Sequence, residues 1–334
     1  MADPALVEVL RGDLVESVHR GAVAVFDAHG KAVLQLGDID RPVFPRSAVK
    51  VMQALPLIET GAADRYGLNG EELALACASH LGEPGHVATA ISILQKAGCG
   101  EQALECGVHW PTSQEATIGL ARSGAKPSQL HNNCSGKHSG FLTVCRHCNI
   151  DHRGYATAGH PFQEMVRGVM EQVTQATHGD ANRGTDGCSI PTYAIPLKNL
   201  ALGFAKLATG QGLDNGRAEA ASRLIQACTA NPFFVAGTRQ ADTMLMELGA
   251  GRVFTKGGAE GVHCAAIPEL GVGIALKCDD GAGRAAEIAM TAVLAKLFSG
   301  DEALSAALSE LAHRKLSNWR GLQVASLRPS QALA

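Results

Sequence analysis

The chain has 334 residues, 46% apolar and 18% charged, which is enough for one large domain or two lobes with an ample core. Its net charge of −3, two tryptophans and three tyrosines exclude the basic, aromatic surface typical of nucleic-acid binding and the polybasic patch of a membrane-surface protein. Residues 1–4 begin no signal peptide and no apolar run is long enough to span a membrane. We therefore expect a cytoplasmic protein whose ten cysteines are thiols or metal ligands.

A β-hairpin is the first element that the sequence predicts. Residues 14–37 alternate apolar and polar side chains on both sides of a turn at residues 27–30. This alternation predicts that residues 21–27 pair with residues 31–37.

A buried helix follows the hairpin. Residues 48–58 are mostly apolar and come after Pro45, which predicts a helix that starts near Ser47. Lys50 is three residues further on, so the two side chains share a helix face, with Cβ atoms roughly 5–6 Å apart. Burial favours the neutral form of a lysine, which can accept a proton from a serine, and S-x-x-K carries the nucleophile of serine β-lactamases. Ser47 and Lys50 are thus a candidate nucleophile and base.

The remaining patterns are helical up to about residue 249 and then change to strands. Helices are predicted at residues 71–78 (capped by Asn69), 86–97, 114–122, 137–147, 161–177, 215–229, 239–249, 283–298 and 302–314. Strands are predicted at residues 252–255, 261–267 and 271–277, with an edge strand at 321–327.

This order of elements predicts an α+β fold, an α/β/α sandwich built on an antiparallel sheet. Residues 1–60 and 235–334 would form a sheet lobe and residues 61–234 a mainly helical lobe of one catalytic unit. The order resembles that of the β-lactamase and penicillin-binding fold, in which a serine of the helical lobe and a lysine-glycine stretch of a strand face the nucleophile.

Ser79 and Lys256 are the candidates for those two positions. Ser79 follows a strongly apolar helix and precedes a loop rich in glycine and proline. Lys256 ends a predicted strand, and Gly257 and Gly258 after it have no Cβ to keep a substrate away. The alternatives are a turn serine bonded to its own helix and a solvated lysine at a β-turn.

A dense polar stretch, residues 131–142, precedes the apolar part of a further helix. Polar loops at helix N-termini are typical of binding sites, because free N–H groups and the helix dipole attract anions. A related cluster lies at residues 185–191. An ordinary capped loop is the alternative interpretation.

Four motifs together resemble the rhizobial-type L-asparaginases, the asparaginase II family with a serine β-lactamase-like fold. They lie at residues 45–50, 131–142, 186–188 and 255–261, and the resemblance extends over roughly residues 8 to 325. It implies an amidohydrolase, L-asparaginase, that converts L-asparagine to L-aspartate and ammonia and forms a homodimer.

The resemblance also implies roles for individual residues. It implies two Ser–Lys pairs, Ser47 with Lys50 and Ser79 with Lys256. It implies a zinc ion held by Cys134, Lys137, Cys188 and water, and substrate contacts from Arg46, Asn133, His138 and Asp186.

The residues alone leave the zinc ligands open. Lysine is an unusual ligand because its amine must be neutral, and His131 or His138 would be the more usual partners of the two cysteines. A rival metal or redox site is Cys145-x-x-Cys148 with His152, although its two thiols lie near the end of an apolar helix.

We expect acyl transfer with Ser47 as nucleophile, while Ser79 and Lys256 relay protons to the leaving ammonia. Arg46 would hold the α-carboxylate of asparagine and Asp186 its α-ammonium group. Zinc with two thiolate ligands would organise the loops rather than act as the main catalyst. The alternatives are a serine-dependent glutaminase of the same fold, a penicillin-hydrolysing or penicillin-binding enzyme, and a non-catalytic zinc scaffold.

Overall fold

The structure is a computed structural model that describes residues 2–333. Its strands are β1 (Ala5–Arg11), β2 (Leu14–Asp27), β3 (Ala32–Leu36), β4 (Pro42–Val43), β5 (Arg183–Thr185), β6 (Pro191–Tyr193), β7 (Ile195–Pro196), β8 (Phe254–Gly258), β9 (Val262–Ile267), β10 (Val272–Cys278), β11 (Arg314–Ser317) and β12 (Gln323–Pro329). Eight of them form one antiparallel sheet in the order β11-β12-β1-β2-β10-β9-β8, with β3 also paired to β2. Two-stranded pairs join β4 to β7 and β5 to β6.

The helices lie mostly between β4 and β8. They are α1 (Lys50–Gln53), α2 (Leu55–Glu59), α3 (Ala62–Arg65), α4 (Gly70–Ala76), α5 (Pro84–Lys96), α6 (Gln114–Arg122), α7 (Ser135–His147), α8 (Pro161–Thr174), α9 (Leu197–Thr209), α10 (Asn215–Ala230), α11 (Pro232–Val235), α12 (Ala241–Gly249), α13 (Gly283–Leu297) and α14 (Glu302–Leu311). Among the described residues, no helix is both long enough and apolar enough to cross a membrane.

The central strand β2 shows why the sheet is covered on both faces. Side chains alternate between the two faces of a strand, and every residue from 21 to 26 of β2 is buried. Ala22, Ala24 and Phe26 enter one hydrophobic core, whereas Val23 and Val25 enter the other. Helix α9 packs on β2, β9 and β10 in the first core, and α13 packs on β1, β9, β10 and β12 in the second. The predicted α/β/α sandwich is confirmed.

Several local predictions are also confirmed. β2 pairs with β3 across the turn, where the Asp27 carboxylate accepts hydrogen bonds from the backbone N–H groups of His29 and Lys31 at 2.9 Å. Asn69 caps α4 in a capping box with Glu72. The helices predicted at 86–97, 114–122 and 283–298 correspond to α5, α6 and α13.

The continuous helix predicted from Ser47 is wrong. The segment consists of a 3-10 turn (Arg46–Val49) followed by the short helices α1 and α2. Pro56 has no N–H to donate to the carbonyl of Met52, so the chain interrupts α1 and restarts as α2. Arg46 has a left-handed φ of 53°, a conformation that costs energy for a residue with a Cβ, immediately before Ser47.

Other differences concern strands and one helix. β1, β11 and α9 were not predicted, and β12 lies between β11 and β1 instead of forming an edge. Lys256 to Gly258 lie inside β8 rather than after it. Helix α9 falls in the segment assigned to the helical lobe but packs on the sheet, and the division into two lobes stays a prediction.

Candidate active site

A cavity of about 280 Å³ lies where six separate segments meet, and four of them carry residues selected from the sequence. Ser47 comes from the 3-10 turn, Ser79 from the loop after α4, Asn133 from the loop before α7 and Lys256 from β8. The fold therefore brings both candidate serines to one cavity, as the sequence predicted, although they are far apart in the chain.

Lys50 lies fully buried behind this cavity. Its Nζ lies 2.8 Å from Ser79 Oγ, and it donates to the carbonyl oxygens of Ala78 at 2.5 Å and Asn133 at 3.5 Å. Burial, together with the positive charges of Lys137 and Lys256, lowers the pKa of Lys50 despite the opposing effect of Cys134. The lower pKa makes the neutral amine, the form that can accept a proton, easier to reach than it is for an exposed lysine.

The hydrogen bonds of the two lysines differ from the predicted pairing of serines with lysines. Within residues 2–333, Lys50 bonds to Ser79 and not to Ser47, and Lys256 bonds to neither serine. The physical reason is that a buried amine must find acceptors, and the carbonyl of Ala78, just beyond the end of α4, supplies one beside Ser79.

The loop that carries Ser79 is held on both sides. The backbone N–H of Ser79 donates to the carbonyl of Val235 at 2.9 Å. The buried imidazole of His80 accepts from Gly82 N–H at 3.1 Å through Nδ1, so its Nε2 donates to Ser135 Oγ at 2.9 Å. His80 thus ties the Ser79 loop to the start of α7 and has a structural role.

Lys256 sits in a charge network that the sequence analysis missed. Its Nζ lies 3.5 Å from a carboxylate oxygen of Asp242 and donates to the carbonyl of Gly257 at 2.9 Å. Asp242 also accepts from His263 Nε2 at 2.8 Å. The available signal was a histidine placed opposite Gly257 inside the otherwise apolar strand β9.

Arg46 and Asp186 bind each other. Arg46 Nε donates to Asp186 Oδ1 at 2.6 Å, and neither residue lines the cavity that contains the serines. Burial alone would raise the pKa of Asp186, but Lys137 and Arg46 together hold it below its ordinary value. Of the four predicted substrate-binding residues, Asn133 is the one that lines the cavity.

Cys134, Lys137 and Cys188, the three predicted zinc ligands, converge beside Lys50. Lys137 Nζ lies 3.1 Å from Cys188 Sγ. A hydrogen bond from Cys188, helped by Lys50 and Lys137, holds the pKa of Cys134 well below its ordinary value. The thiols and Asp186 outweigh burial and raise the pKa of Lys137 to about 12.

His138 does not reach the cavity. Its ring is fully buried, its Nδ1 bonds to the Tyr155 hydroxyl at 2.6 Å, and its Nε2 has no partner among the described residues. Cys145 and Cys148 of the rival site are free thiols, as are Cys134 and Cys188, and the rival site stays a prediction. No cluster of three or more His, Cys, Asp or Glu suited to a metal occurs in residues 2–333.

A family model described as L-asparaginase II matches residues 7–329. The chain belongs to the L-asparaginase II family. This membership supports an asparaginase-type amidohydrolase, and the match covers nearly the whole chain, including every residue that lines the cavity.

Two solved structures to which this asparaginase II chain is similar share little sequence with it. One is Mglu in its glutamate form, at 14% identity and a TM-score of 0.43, with 85% of this chain and 61% of that chain covered. Another is a β-lactamase (Mb2281c) from Mycobacterium bovis, at 14% identity and a TM-score of 0.38, with 87% and 94% covered. The chain thus spans less than two thirds of the length of Mglu. No curated protein matched the chain.

Proposed function

We propose that this protein hydrolyses L-asparagine to L-aspartate and ammonia through a serine nucleophile activated by a buried lysine. The observation that carries the proposal is the 2.8 Å contact between Lys50 Nζ and Ser79 Oγ at the edge of the cavity. Membership of the asparaginase II family supports an amide as substrate.

Ser79 is the serine that this contact favours as nucleophile, in place of the Ser47 expected from sequence. Its Oγ forms a bond to the side-chain amide carbon while its proton passes to the neutral Lys50 amine. The carbon–nitrogen bond then breaks and ammonia leaves with a proton supplied by a lysine of the cavity. Water attacks the aspartyl ester, and the serine regains its proton from Lys50. Ser47, on the same cavity, is the second candidate.

The charged ends of free asparagine need their own partners. Arg46, in the Ser47 turn, and Asp186 form a partly buried ion pair. We propose that this pair opens, so that Arg46 binds the α-carboxylate of asparagine and Asp186 its α-ammonium group. Asn133, which lines the cavity, would contact the amide. A KM for asparagine that stays unchanged in Arg46→Ala would contradict the role of Arg46.

The residues also fit a zinc ion. The 3.1 Å separation between Lys137 Nζ and Cys188 Sγ lies within half an ångström of the roughly 3.5 Å between nitrogen and sulfur ligands in a tetrahedral zinc site. Cys134, Lys137 and Cys188 would hold the ion, with water completing the set. Two thiolates make zinc electron-rich, so when bound it would mainly organise the loops at residues 131–138 and 186–188.

The test is ammonia release from L-asparagine and L-glutamine by the wild type, Ser79→Ala and Ser47→Ala. We expect faster release from asparagine, and a loss of at least about 10³-fold in Ser79→Ala. Mass spectrometry of a trapped acyl-enzyme locates the ester on one serine peptide. Ester on Ser47 overturns the assignment of the nucleophile, and faster release from glutamine overturns the substrate. Absence of release from both amides overturns the function. Sedimentation of the same preparation tests the expected homodimer.

A further inference from the structure

Asp242, at the start of α12, is a buried carboxylate on the wall of the cavity, and the mechanism above gives it no role. It is 7% exposed, and both of its oxygens accept from the backbone N–H of Gly257, at 3.1 and 2.9 Å. Its other contacts are His263 Nε2 at 2.8 Å and Lys256 Nζ at 3.5 Å.

We propose that Asp242 is a positioning residue that holds Lys256 at the cavity as an ammonium group, so that Lys256 is the lysine that gives a proton to the leaving ammonia. The proposal deepens the proposed function and rests on it.

The geometry of β8 supports this assignment. Lys256 is 1% exposed, so its ammonium group has lost water and needs protein acceptors. The carbonyl of Gly257 supplies one at 2.9 Å, and Asp242 supplies the only carboxylate within 4 Å of Lys256 among the described residues. The same carboxylate accepts a hydrogen bond from the backbone N–H of Gly257, next to Lys256 in β8. It therefore both balances the charge of the amine and fixes its position.

Lys50 offers the contrast. Within residues 2–333 its amine has no carboxylate partner and bonds to two carbonyls and a hydroxyl. The two lysines that serve the cavity therefore differ in their counter-charge, and enzymes assign acid and base roles by such differences in surroundings.

The other charged and titratable groups near Lys256 do not replace Asp242. They are His263 and Cys264 on β9, Cys228 on α10 with its partner Cys77, and Lys50 on α1. Glu287 lines the far side of the cavity but binds Arg314 at 2.7 Å. Burial alone would raise the pKa of Asp242, yet Lys256, His263 and the Gly257 N–H hold it well below its ordinary value.

The proton balance closes with this assignment. In acylation, Lys256 gives a proton to the departing nitrogen as the carbon–nitrogen bond breaks, and it becomes neutral. In deacylation, the neutral amine takes a proton from the attacking water, whose oxygen forms the new bond to the acyl carbon. Lys256 thus returns to the ammonium form that Asp242 stabilises, and no other reactant is needed.

A double-mutant cycle tests the proposal by kcat and KM for L-asparagine in the wild type, Asp242→Asn, Lys256→Met and the double variant. We expect Asp242→Asn to lower kcat at least about tenfold with little change in KM, and to add nothing in the Lys256→Met background. If the reductions in kcat of the two single variants multiply in the double variant, the proposal is overturned. An unchanged kcat in Asp242→Asn also overturns it. Glu72→Gln is the matched control. Glu72 is also a buried carboxylate, its oxygen lies 2.6 Å from Lys96 Nζ, and it does not line the cavity.

NMR of side-chain-labelled lysines at one fixed pH gives a readout that needs no turnover. We expect the Nζ signal of Lys256 to shift in Asp242→Asn, because the carboxylate 3.5 Å away is lost, and an unmoved signal contradicts the proposal. If Asp242→Asn does not fold, Asp242→Glu keeps the charge while moving it. It should then keep the Lys256 signal close to that of the wild type and lower kcat, and an unchanged kcat would contradict the proposal. A wild type inactive on asparagine refutes the proposed function, while the NMR signal still decides the role of Asp242.

Discussion

Lys50 shows how burial changes the chemistry of a single residue. A lysine amine in water is protonated at neutral pH, but this one is removed from water and lies near two other lysines. Its hydrogen bonds to carbonyl oxygens and a hydroxyl neutralise no charge, and the nearby Cys134 thiol only partly opposes the lowering of its pKa. The residue is therefore suited to accept a proton from Ser79.

Replacing Lys50 with methionine should abolish this function while keeping the volume of the side chain. We expect kcat to fall by about 10²–10⁴-fold, the usual contribution of a general base, as measured by ammonia release from asparagine. Lys206→Met is a matched control. Lys206 is 2% exposed, its amine has no partner among the described residues, and it lies away from the cavity. A Lys50→Met variant within threefold of wild-type kcat would exclude Lys50 as the base.

At the scale of elements, the site depends on how closely β8 crosses the Ser47 turn. A Cβ on Gly258 would lie 2.5 Å from the carbonyl oxygen of Pro45 and 3.2 Å from the nitrogen of Ala48. Both are backbone atoms and cannot move without shifting the turn. The glycine therefore allows the strand and the turn to share one wall of the cavity.

Gly258→Ala should displace the Ser47 turn and lower kcat by about tenfold or more, because misplacement by an ångström costs up to about a hundredfold in rate. Gly168→Ala in α8 is the control, since a Cβ there would meet no neighbouring heavy atom within 4 Å. Kinetics and thermal unfolding of both variants distinguish the two positions. Equal activity of the two variants would show that the close crossing does not matter.

Sequence patterns predicted elements well where one local rule dominated. The β2–β3 hairpin and the capping box at Asn69 are such cases, and the order of the elements predicted the α/β/α layers. The break at Pro56 was also readable, but the apolar run concealed it. β1 and β11 were missed because strand pairing depends on partners that are distant in the chain.

The sequence predicted four residues that line the cavity, but not which lysine bonds to which serine. The motifs selected Ser47, Ser79, Asn133 and Lys256, which all line the cavity. Spacing in the chain suggested that Lys50 serves Ser47, whereas the free carbonyl after α4 directs its amine to Ser79. No local pattern reveals such a contact, because its acceptors come from another part of the fold.

At the scale of the whole molecule, zinc would connect the loop before α7 with the loop that carries Cys188. Purified wild type should contain about one zinc per chain, and Cys188→Ser should lose most of it, as measured by elemental analysis. Cys145→Ser should keep its zinc, whereas the rival site at Cys145 and Cys148 predicts the opposite result. Chelation should raise KM more than it lowers kcat, and complete loss of turnover would show that zinc takes part in the chemistry.

The stability of the whole chain should also report the buried network at Asp242, which ties α12 to β8 and β9. The pKa of Asp242 in the folded protein lies below its ordinary value of 3.8. Its stabilisation is therefore fully present above that value and is lost as the pH falls through it toward the folded pKa. We expect the free energy of unfolding in urea to separate wild type from Asp242→Asn at pH 7, and the difference to shrink between pH 4 and pH 2. Asp180→Asn, at a side chain that is 86% exposed, should show no such change, and a constant gap for Asp242→Asn would mean that the carboxylate does not titrate in this way.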